Sequence, residues 1–522
     1  MNALAVDLGT TAAKVAVVAM DGRVLGSGTL ALTTTFGLDG SAVQDPDRVW
    51  YSVLDAAKAA LNQAGPVETK RVRVVCVTSQ WASIVPVAAN GHPVGPLFMW
   101  LDGRGGEYTD AISRGPDRER AEILAHWVDV HGMYPGTSLA HILHVQHTQP
   151  DIHELAAAYL EPADYLNARF CGRIAATGCT AMPLALTDNR TLGDVTWSGA
   201  LIRAAGVDPE KLPPLVPSLS VIGPVLASVA TDLGLQPDVL VVTGANDSIA
   251  AAIGTDALIP GHGTVVMGTT GVLTAHHPHR TVDPAKFIAT MPSALNDRYY
   301  VMAEAGLGGK ALELFLNEFI HGTDGLSDEG GAPADVFERV ASAVSGVPVG
   351  SNGVLFLPWL IGSLSPKVDG RQRGGFLGLS MQTTRAHLLR AVLEGVALQM
   401  RWLLDEVAST LGVPYGMVRF AGGGAQSDSW SQTMADVLGR EVQQIGEPRH
   451  ANARGAGLLG FLSIGEIGIG DLAGCVPVRR AYEPDTRHRA LFDERIEIYR
   501  DLHARLAEPI GRLSSSVANS YH

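Results

Sequence analysis

The stretch LAVDLGTTAAKVAVVAMDG at residues 4–22 decides the fold, because it combines two strand-like segments with one polar turn. Apolar and β-branched residues at 4–6 and 14–18 predict the strands, and Asp21-Gly22 predicts a hairpin after the second. The turn Asp7-Leu8-Gly9-Thr10-Thr11 offers backbone N–H groups, two hydroxyls and a carboxylate. Such a turn can hold phosphate oxygens, and its carboxylate can hold Mg²⁺ through water. An ordinary hairpin with polar turn residues is the alternative.

Length and charge limit the classes of protein that this chain can represent. A chain of 522 residues is too long for one hydrophobic core and predicts two large domains. The formal net charge of −14 argues against nucleic acid or an anionic membrane as the main partner. We therefore expect no nucleic acid and no membrane as partner. A small-molecule substrate and a homodimeric assembly are separate expectations.

Cysteine usage and the N-terminus favour a cytoplasmic protein. The four cysteines form no CxxC pair and no plausible zinc set, so reduced thiols are expected. The N-terminus lacks the basic region and apolar stretch of a signal peptide. No segment is apolar for long enough to span a bilayer.

The opening pattern occurs a second time, in VVMGTTGVLTA at residues 265–275. Strand-like and helix-like segments alternate between and after the two copies, which predicts an α/β protein. Two halves that each begin with strand, turn and strand would face each other across a cleft. We place the boundary in the connection TDALIPGHG at 255–263, with domains at 1–254 and 255–470 and a C-terminal helix with a flexible tail at 471–522.

Three further segments have a clear local pattern. Residues 385–407 carry apolar side chains at helical spacing, which predicts a helix with a wide apolar face. The Gly- and Asp-rich segment at 321–335 is expected to be an exposed loop. The segment RLSSSVANSYH at 512–522 lacks apolar content and is expected to be a frayed tail.

Two more turns join the two threonine-bearing ones as candidates for chemistry. Gly244 and Asp247 follow the apolar run 239–242, and the segment Gly422-Gly423-Gly424-Ala425-Gln426 lies between a strand and a helix. Each is weak evidence alone, since tight packing or a helix-capping aspartate would explain it. Together they suit a nucleotide whose phosphates are held by two turns from opposite sides. A Walker loop or Rossmann motif in a suitable strand–helix setting is absent.

The chain resembles the FGGY carbohydrate kinases of the actin/hexokinase/Hsp70 superfamily, and within them the xylulokinase branch. The most specific match is GGFLGLSMQTTRAHLLRAVLE at 374–394, which fits the C-terminal pattern of that family. Further matching stretches are QDPDRVW (44–50), PLFMWLDGR (96–104), DYLNARFCGRIAAT (164–177) and AAGVDPEKLPPLVPS (204–218). The resemblance implies two actin-like (ribonuclease H-like) domains flanking a cleft. It also implies transfer of the γ-phosphate of ATP, with Mg²⁺, to a hydroxyl of a small ketose or polyol.

The resemblance implies roles for the positions that match the family. Asp7 would organise the magnesium ion, and Asp247 falls where the family places its catalytic aspartate, beside the acceptor hydroxyl. Lys14 is expected to be a solvated side chain rather than a phosphate ligand. The residues implied to bind ATP phosphate are Gly9, Thr10, Thr11, Gly268, Thr269 and Thr270, and those on the adenosine side are Gly422, Gly423, Gly424 and Gln426.

The acceptor stretch departs from the family pattern. Xylulokinases typically carry Gly-Gln-Met-His-Gly where this chain has Ser79-Gln80-Trp81-Ala82-Ser83. Gln80 stays a substrate candidate, while Trp81 either stacks on the acceptor or fills the core. Asp102 either accepts bonds from sugar hydroxyls or forms a surface pair with Arg104. The altered stretch keeps a second function open, a non-catalytic nucleotide-binding sensor or assembly protein, although the retained Asp247 argues against it.

Overall fold

The computed structural model describes residues 1–113, 118–322 and 331–518. Most of the expected loop at 321–335 and the last four residues of the expected tail lie outside the described residues. Residues 512–518 continue a helix, which corrects the expectation of a frayed tail for that part. The earlier turns of this helix pack Phe492, Ile496 and Tyr499 into the core, and a helix that has started extends at little cost.

The first half of the chain supplies one large sheet and the helices around it. Its strands are β1 (Asn2–Leu8), β2 (Ala12–Ala19), β3 (Val24–Ala31), β4 (Thr35–Phe36), β5 (Ala42–Gln44), β6 (Val72–Ser79), β7 (Val85–Val87), β8 (Leu97–Phe98), β9 (Ala158–Leu160), β10 (Thr187–Asp188), β11 (Thr196–Trp197), β12 (Val221–Pro224) and β13 (Leu240–Asn246). Its helices are α1 (Pro46–Ala64), α2 (Pro66–Thr69), α3 (Gly106–Ser113), α4 (Arg118–His131), α5 (Thr137–Thr148), α6 (Pro150–Leu155), α7 (Pro162–Cys171), α8 (Gly199–Ala205), α9 (Ala227–Leu233) and α10 (Asp247–Gly254).

The second half supplies another large sheet and a separate pair of short strands, β19 and β20. The strands of this half are β14 (His262–Met267), β15 (Thr270–His277), β16 (Val282–Asp283), β17 (Ile288–Pro292), β18 (Tyr299–Leu307), β19 (Leu355–Leu357), β20 (Gly375–Leu377), β21 (Met417–Ala421), β22 (Glu441–Ile445) and β23 (Val478–Tyr482). Its helices are α11 (Gly309–Leu314), which continues as a π-helix over Phe315–Ile320, α12 (Val336–Ser345), α13 (Arg385–Leu411), α14 (Asp428–Leu438), α15 (Ala451–Ser463) and α16 (Arg489–Ala518).

The two large sheets repeat one topology. The first has the strand order β12-β13-β6-β1-β2-β3, and the second contains the order β23-β22-β21-β14-β15-β18. Each order contains five strand pairs. In both sheets, the first pair is antiparallel, the second and third pairs are parallel, and the fourth and fifth pairs are antiparallel. The repeat that the two threonine turns predict in the sequence is therefore a repeat of whole sheets. The first threonine turn connects β1 to β2, and the second connects β14 to β15, so the two turns occupy equivalent positions in the two sheets.

Burial explains why the hairpin strands read as apolar runs. Every residue of β1 is buried, because this strand lies between β2 and β6 and has packed layers on both faces. Helix α13 confirms the expected apolar face, since Leu389, Val392 and Leu403 all belong to the core of the second half.

The stretch at 374–394 that most resembles the family is structural in this fold. Thr384 and His387 form a capping box at the start of α13. Glu394 is fully buried and accepts hydrogen bonds from the backbone N–H of Gly350 and the hydroxyl of Ser351, each at 2.9 Å. These three residues of the family signature thus hold elements of the fold together.

Helix α15 connects the two halves. In sequence it lies between β22 and β23 of the second sheet, yet it packs against β1, β2 and β6 of the first sheet and against α10. Gly455 allows this approach, because a Cβ there would lie only 1.8 Å from the carbonyl oxygen of Ala250 in α10. Among the described residues, no helix has the length and apolarity needed to cross a bilayer.

Candidate active site

A cavity of about 520 Å³ lies between the two sheets, and residues of both halves line it. The two threonine turns meet here, since Thr10 of the first and Thr270 of the second both contribute. Its described lining is Thr10, Gln80, Trp81, Ala82, Trp100, Thr137, Asp247, Ser248, Ala251, Val266, Thr270, Val272, Thr274, Met302, Glu304 and Asn452. The fold therefore brings together the predicted catalytic aspartate, two predicted acceptor residues and one residue from each predicted phosphate turn.

Asp247 is the first residue of α10, directly after the buried strand β13. The helix cap is Asn246, whose side chain accepts from the backbone N–H of Ile249 at 2.9 Å, so the alternative of a helix-capping aspartate is wrong. The hydroxyl of Ser248 donates to the carboxylate of Asp247 at 3.1 Å. Burial first, and then the negative charge of Asp7, raise the pKa of Asp247 to about 6.

Asp7 lies at the end of β1 and is 2% exposed. Its carboxylate accepts from the side-chain amide of Asn452, at the start of α15, at 3.3 Å. Lys14 on the neighbouring strand β2 places its Nζ 3.4 Å from the same carboxylate. The expectation of a merely solvated Lys14 is therefore incomplete, because its half-exposed side chain forms an ion pair.

Thr10 connects the first phosphate turn to the acceptor stretch. Its hydroxyl donates to Oε1 of Gln80 at 2.8 Å and accepts from Nε1 of Trp100 at 3.0 Å. Thr10 thus holds the side chains of Gln80 and Trp100 at the cavity wall. Gly9 and Thr11 belong to the same turn but do not line the cavity, and Thr11 is exposed.

A second cavity, of about 630 Å³, adjoins the second turn. Gly268 and Thr269 line it on one side, and Gly423, Gly424 and Gln426 line it on the other. The predicted phosphate and adenosine motifs of the second half therefore share one space.

Gly422 holds those two motifs close without lining the second cavity. Its φ is +86°, and a Cβ at this position would lie 2.6 Å from the carbonyl oxygen of Met267. Only glycine combines this backbone conformation with such a close approach.

Trp81 fills part of the core, as one of the two alternatives predicts, and its stacking on the acceptor stays a prediction. Its half-buried side chain packs against the core cluster between the two halves, and it also lines the first cavity. Ala82 beside it has a left-handed backbone, with φ +56°. Glu161 holds the end of the segment 79–83 in place, because its carboxylate accepts from the backbone N–H of Ser83 at 3.3 Å and from the hydroxyl of Ser138 at 2.6 Å. Burial raises the pKa of Glu161 well above its usual range.

The geometry does not place Asp102 in the acceptor cavity. Its side chain is fully buried, and its two carboxylate oxygens accept from the backbone N–H of Ala42 and from the backbone and guanidinium of Arg104, at 2.7–3.0 Å. The alternative of an Asp–Arg pair describes this residue, although the pair is buried rather than at the surface. With its acceptors occupied, Asp102 has a structural role in this conformation.

Sequence reasoning missed several residues that line the first cavity. Thr274 was detectable in principle, since it follows Thr270 and Val272 at the two-residue period of one strand face. Glu304 on β18 and Asn452 on α15 gave no local signal, because only sheet pairing and helix packing bring them to the cleft.

Two sheets of the same topology around a cleft, with a carboxylate at the first turn of a helix between them, are the arrangement of the actin/hexokinase/Hsp70 superfamily. Two family models match the chain, the N-terminal domain of the FGGY family of carbohydrate kinases at residues 2–254 and its C-terminal domain at 263–464. The chain belongs to the FGGY family of carbohydrate kinases. It is an ATP-dependent enzyme that phosphorylates a hydroxyl group.

Individual relatives agree with this assignment. The chain is 26% identical to a xylulose kinase of Bacillus subtilis, over 88% of each chain, and 25% identical to a gluconokinase of the same organism, over 89% of this chain and 88% of the relative. A crystal structure described as a xyloylose kinase from Brucella ovis aligns with a TM-score of 0.84 at 25% identity, over 97% of this chain and 99% of the other. None of these names supports the alternative of a non-catalytic sensor or assembly protein.

Proposed function

We propose that the enzyme transfers the γ-phosphate of ATP to a hydroxyl of a small ketose or polyol, with Asp247 as the general base. The observation that carries this proposal is the position of Asp247 in one cavity with Thr10 and Thr270, the threonines of the two hairpin turns. The names xylulose kinase and gluconokinase among the relatives support a sugar-derived acceptor.

Asp247 would act on the acceptor hydroxyl. Phosphoryl transfer from ATP depends mainly on positioning and charge neutralisation, so a carboxylate that orients the attacking oxygen and takes its proton is sufficient. Its raised pKa makes the Asp247 carboxylate a stronger base than an ordinary aspartate. Ser248 fixes the orientation of this carboxylate through its hydrogen bond.

The two cavities suggest how the substrates are arranged. The adenosine would lie in the second cavity against Gly423, Gly424 and Gln426, with its phosphates passing Gly268 and Thr269 toward the cleft. The acceptor would lie in the first cavity, between Gln80, the two tryptophans and Asp247. Closure of the two halves around both substrates would exclude water and so limit hydrolysis of ATP.

A magnesium ion fits the residues at the base of the cleft. Asp7 and Asp247 are near enough for the charge of one to raise the pKa of the other, and a divalent cation would relieve this repulsion. Mg²⁺ commonly binds one or two carboxylates together with substrate phosphates. Among the described residues, no group of three or more acidic, histidine or cysteine side chains forms a metal site, so the phosphates would complete the coordination. When bound, the ion would neutralise charge on the β- and γ-phosphates.

The decisive experiment measures acceptor-dependent release of ADP with ATP and Mg²⁺, across a panel of ketoses and polyols, with the product identified by ³¹P NMR. We expect at least one acceptor to give a phosphate ester. ATP binding without ADP release for any acceptor would contradict the proposal and favour the sensor. The domain limits, the homodimer and the cytoplasmic location stay predictions.

A further inference from the structure

The first cavity has an unusual balance of charge for a site that holds phosphorylated products. Two of its lining residues, Asp247 and Glu304, are carboxylates. In the described part of the chain, its lining contains neither lysine, arginine nor histidine. The other polar groups on its wall are neutral hydroxyls and amides, and two indoles complete it.

Glu304 reaches the first cavity through the register of the second sheet. It sits on β18, where it pairs with Val272 of β15, and its half-buried carboxylate interacts with the hydroxyl of Thr270. Among the described residues, neither Glu304 nor Asp247 forms an ion pair. Lys14 acts on Asp247 only at a distance, and its Nζ is already paired with Asp7.

This charge distribution separates two classes of acceptor. The neutral hydroxyls of a ketose or polyol can bond to the carboxylates, hydroxyls and amides of the wall, and the indoles can pack on its C–H faces. A sugar acid would bring a third carboxylate into a partly desolvated space whose described lining offers no cationic side chain to pair with it.

We propose that Glu304 is a specificity-determining residue that makes the acceptor site select neutral ketoses and polyols and reject sugar acids. This inference rests on the proposed kinase function and adds to it the charge class of the acceptor. It distinguishes this enzyme from the gluconokinases among its relatives, whose name implies an anionic acceptor.

The experiment compares neutral acceptors with aldonates of the same chain length and stereochemistry, such as D-glucitol with D-gluconate. For the wild type, we expect kcat/KM to be about 10²-fold higher for the best neutral acceptor than for its matched aldonate, because two like charges at close range in the cleft repel strongly. Glu304→Gln should narrow this ratio by about tenfold. Glu497→Gln, which removes the same charge from an exposed position on α16, should leave the ratio unchanged.

The outcomes separate the two proposals. Wild-type turnover with aldonates that equals or exceeds turnover with neutral acceptors overturns the inference and leaves the proposed function standing. An unchanged ratio of kcat/KM between neutral acceptor and aldonate in a folded Glu304→Gln variant has the same consequence. Absence of turnover with both classes overturns the proposed function and the inference with it. Circular dichroism and thermal unfolding verify that the variant is folded; if it is not, the wild-type ratio between matched acceptors still decides the preference.

Discussion

The side-chain amide of Asn452 donates to the carboxylate of Asp7 at 3.3 Å, although the two residues are 445 positions apart. Asn452 lies on α15, the helix that packs onto the first sheet, and Asp7 is the second-last residue of β1, one of the two central strands of that sheet. The hydrogen bond therefore ties the proposed magnesium ligand to the element that joins the halves. A movement of α15 relative to the first sheet would change the surroundings of Asp7.

Asn452→Ala tests this connection. Loss of a hydrogen bond to a charged group should leave Asp7 less well oriented and raise the Mg²⁺ concentration for half-maximal activity by about tenfold. The measurement is a Mg²⁺ titration of the initial rate at saturating ATP. Asn90→Ala, in an exposed hairpin turn, is the matched control and should behave as the wild type. An unchanged Mg²⁺ requirement in Asn452→Ala would show that the amide does not position Asp7.

Asp247→Asn tests the proposed base. The amide keeps the shape of the side chain but cannot accept the proton of the acceptor hydroxyl, so kcat should fall about 10²-fold or more while ATP still binds. Calorimetric titration with ATP and steady-state turnover measure the two quantities separately. A near-normal turnover number in this variant would remove Asp247 from the chemistry.

Gly422→Ala and Gly423→Ala separate packing from ligand binding at the glycine turn. The first variant forces a Cβ to within 2.6 Å of the carbonyl oxygen of Met267 at φ +86°, and it should lose about 2 kcal/mol of unfolding free energy. At Gly423 a Cβ meets no atom within 4 Å, but it would project into space that the adenosine needs. This variant should therefore keep its stability and show a higher KM for ATP. Equal thermal stability of the two variants would contradict the distinction.

His276 predicts a pH dependence of stability. Its ring is buried, Nδ1–H donates to the carbonyl oxygen of Ala257 at 2.8 Å, and Nε2 accepts from the hydroxyl of Ser293 at 2.9 Å. Burial lowers the pKa of His276 to about 4, from an ordinary value of 6.5. In the unfolded chain the imidazole of His276 therefore binds a proton as the pH falls below 6.5, whereas in the folded protein it stays neutral until about pH 4. This contribution to the unfolding free energy is complete above pH 6.5 and decreases as the pH falls, by about 3 kcal/mol in total.

His276→Asn should remove this pH-dependent loss. At neutral pH the variant should be less stable than the wild type, because it loses the two hydrogen bonds, and the difference should shrink as the pH is lowered toward 4. Urea unfolding at several pH values measures this difference. His92→Asn, at an exposed position, is the control for removal of an imidazole. A stability difference that stays constant over this range would contradict the prediction.

Local sequence signals identified the hairpins and turns because their chemistry is contained in a few consecutive residues. The threonine turns, Asp247 and the glycine run all follow apolar strands, and strands with flanking glycines are readable from short-range patterns. The same reasoning could not decide on Asp102, since its four hydrogen-bond donors include the backbone of Ala42, which only the fold brings near. Nor could it find Glu304 or Asn452, which lie on elements without a motif.

The sequence by itself determined the duplicated hairpins, the α/β class, the family and the identity of the proposed base, because each depends on local pattern or on motifs that survive divergence. Tertiary structure alone decided which side chains share a cavity. The pairing of β15 with β18 and the packing of α15 on the first sheet place Glu304 and Asn452 in the cleft. Such contacts depend on strand register and helix packing between distant segments, and short-range patterns contain no information about either.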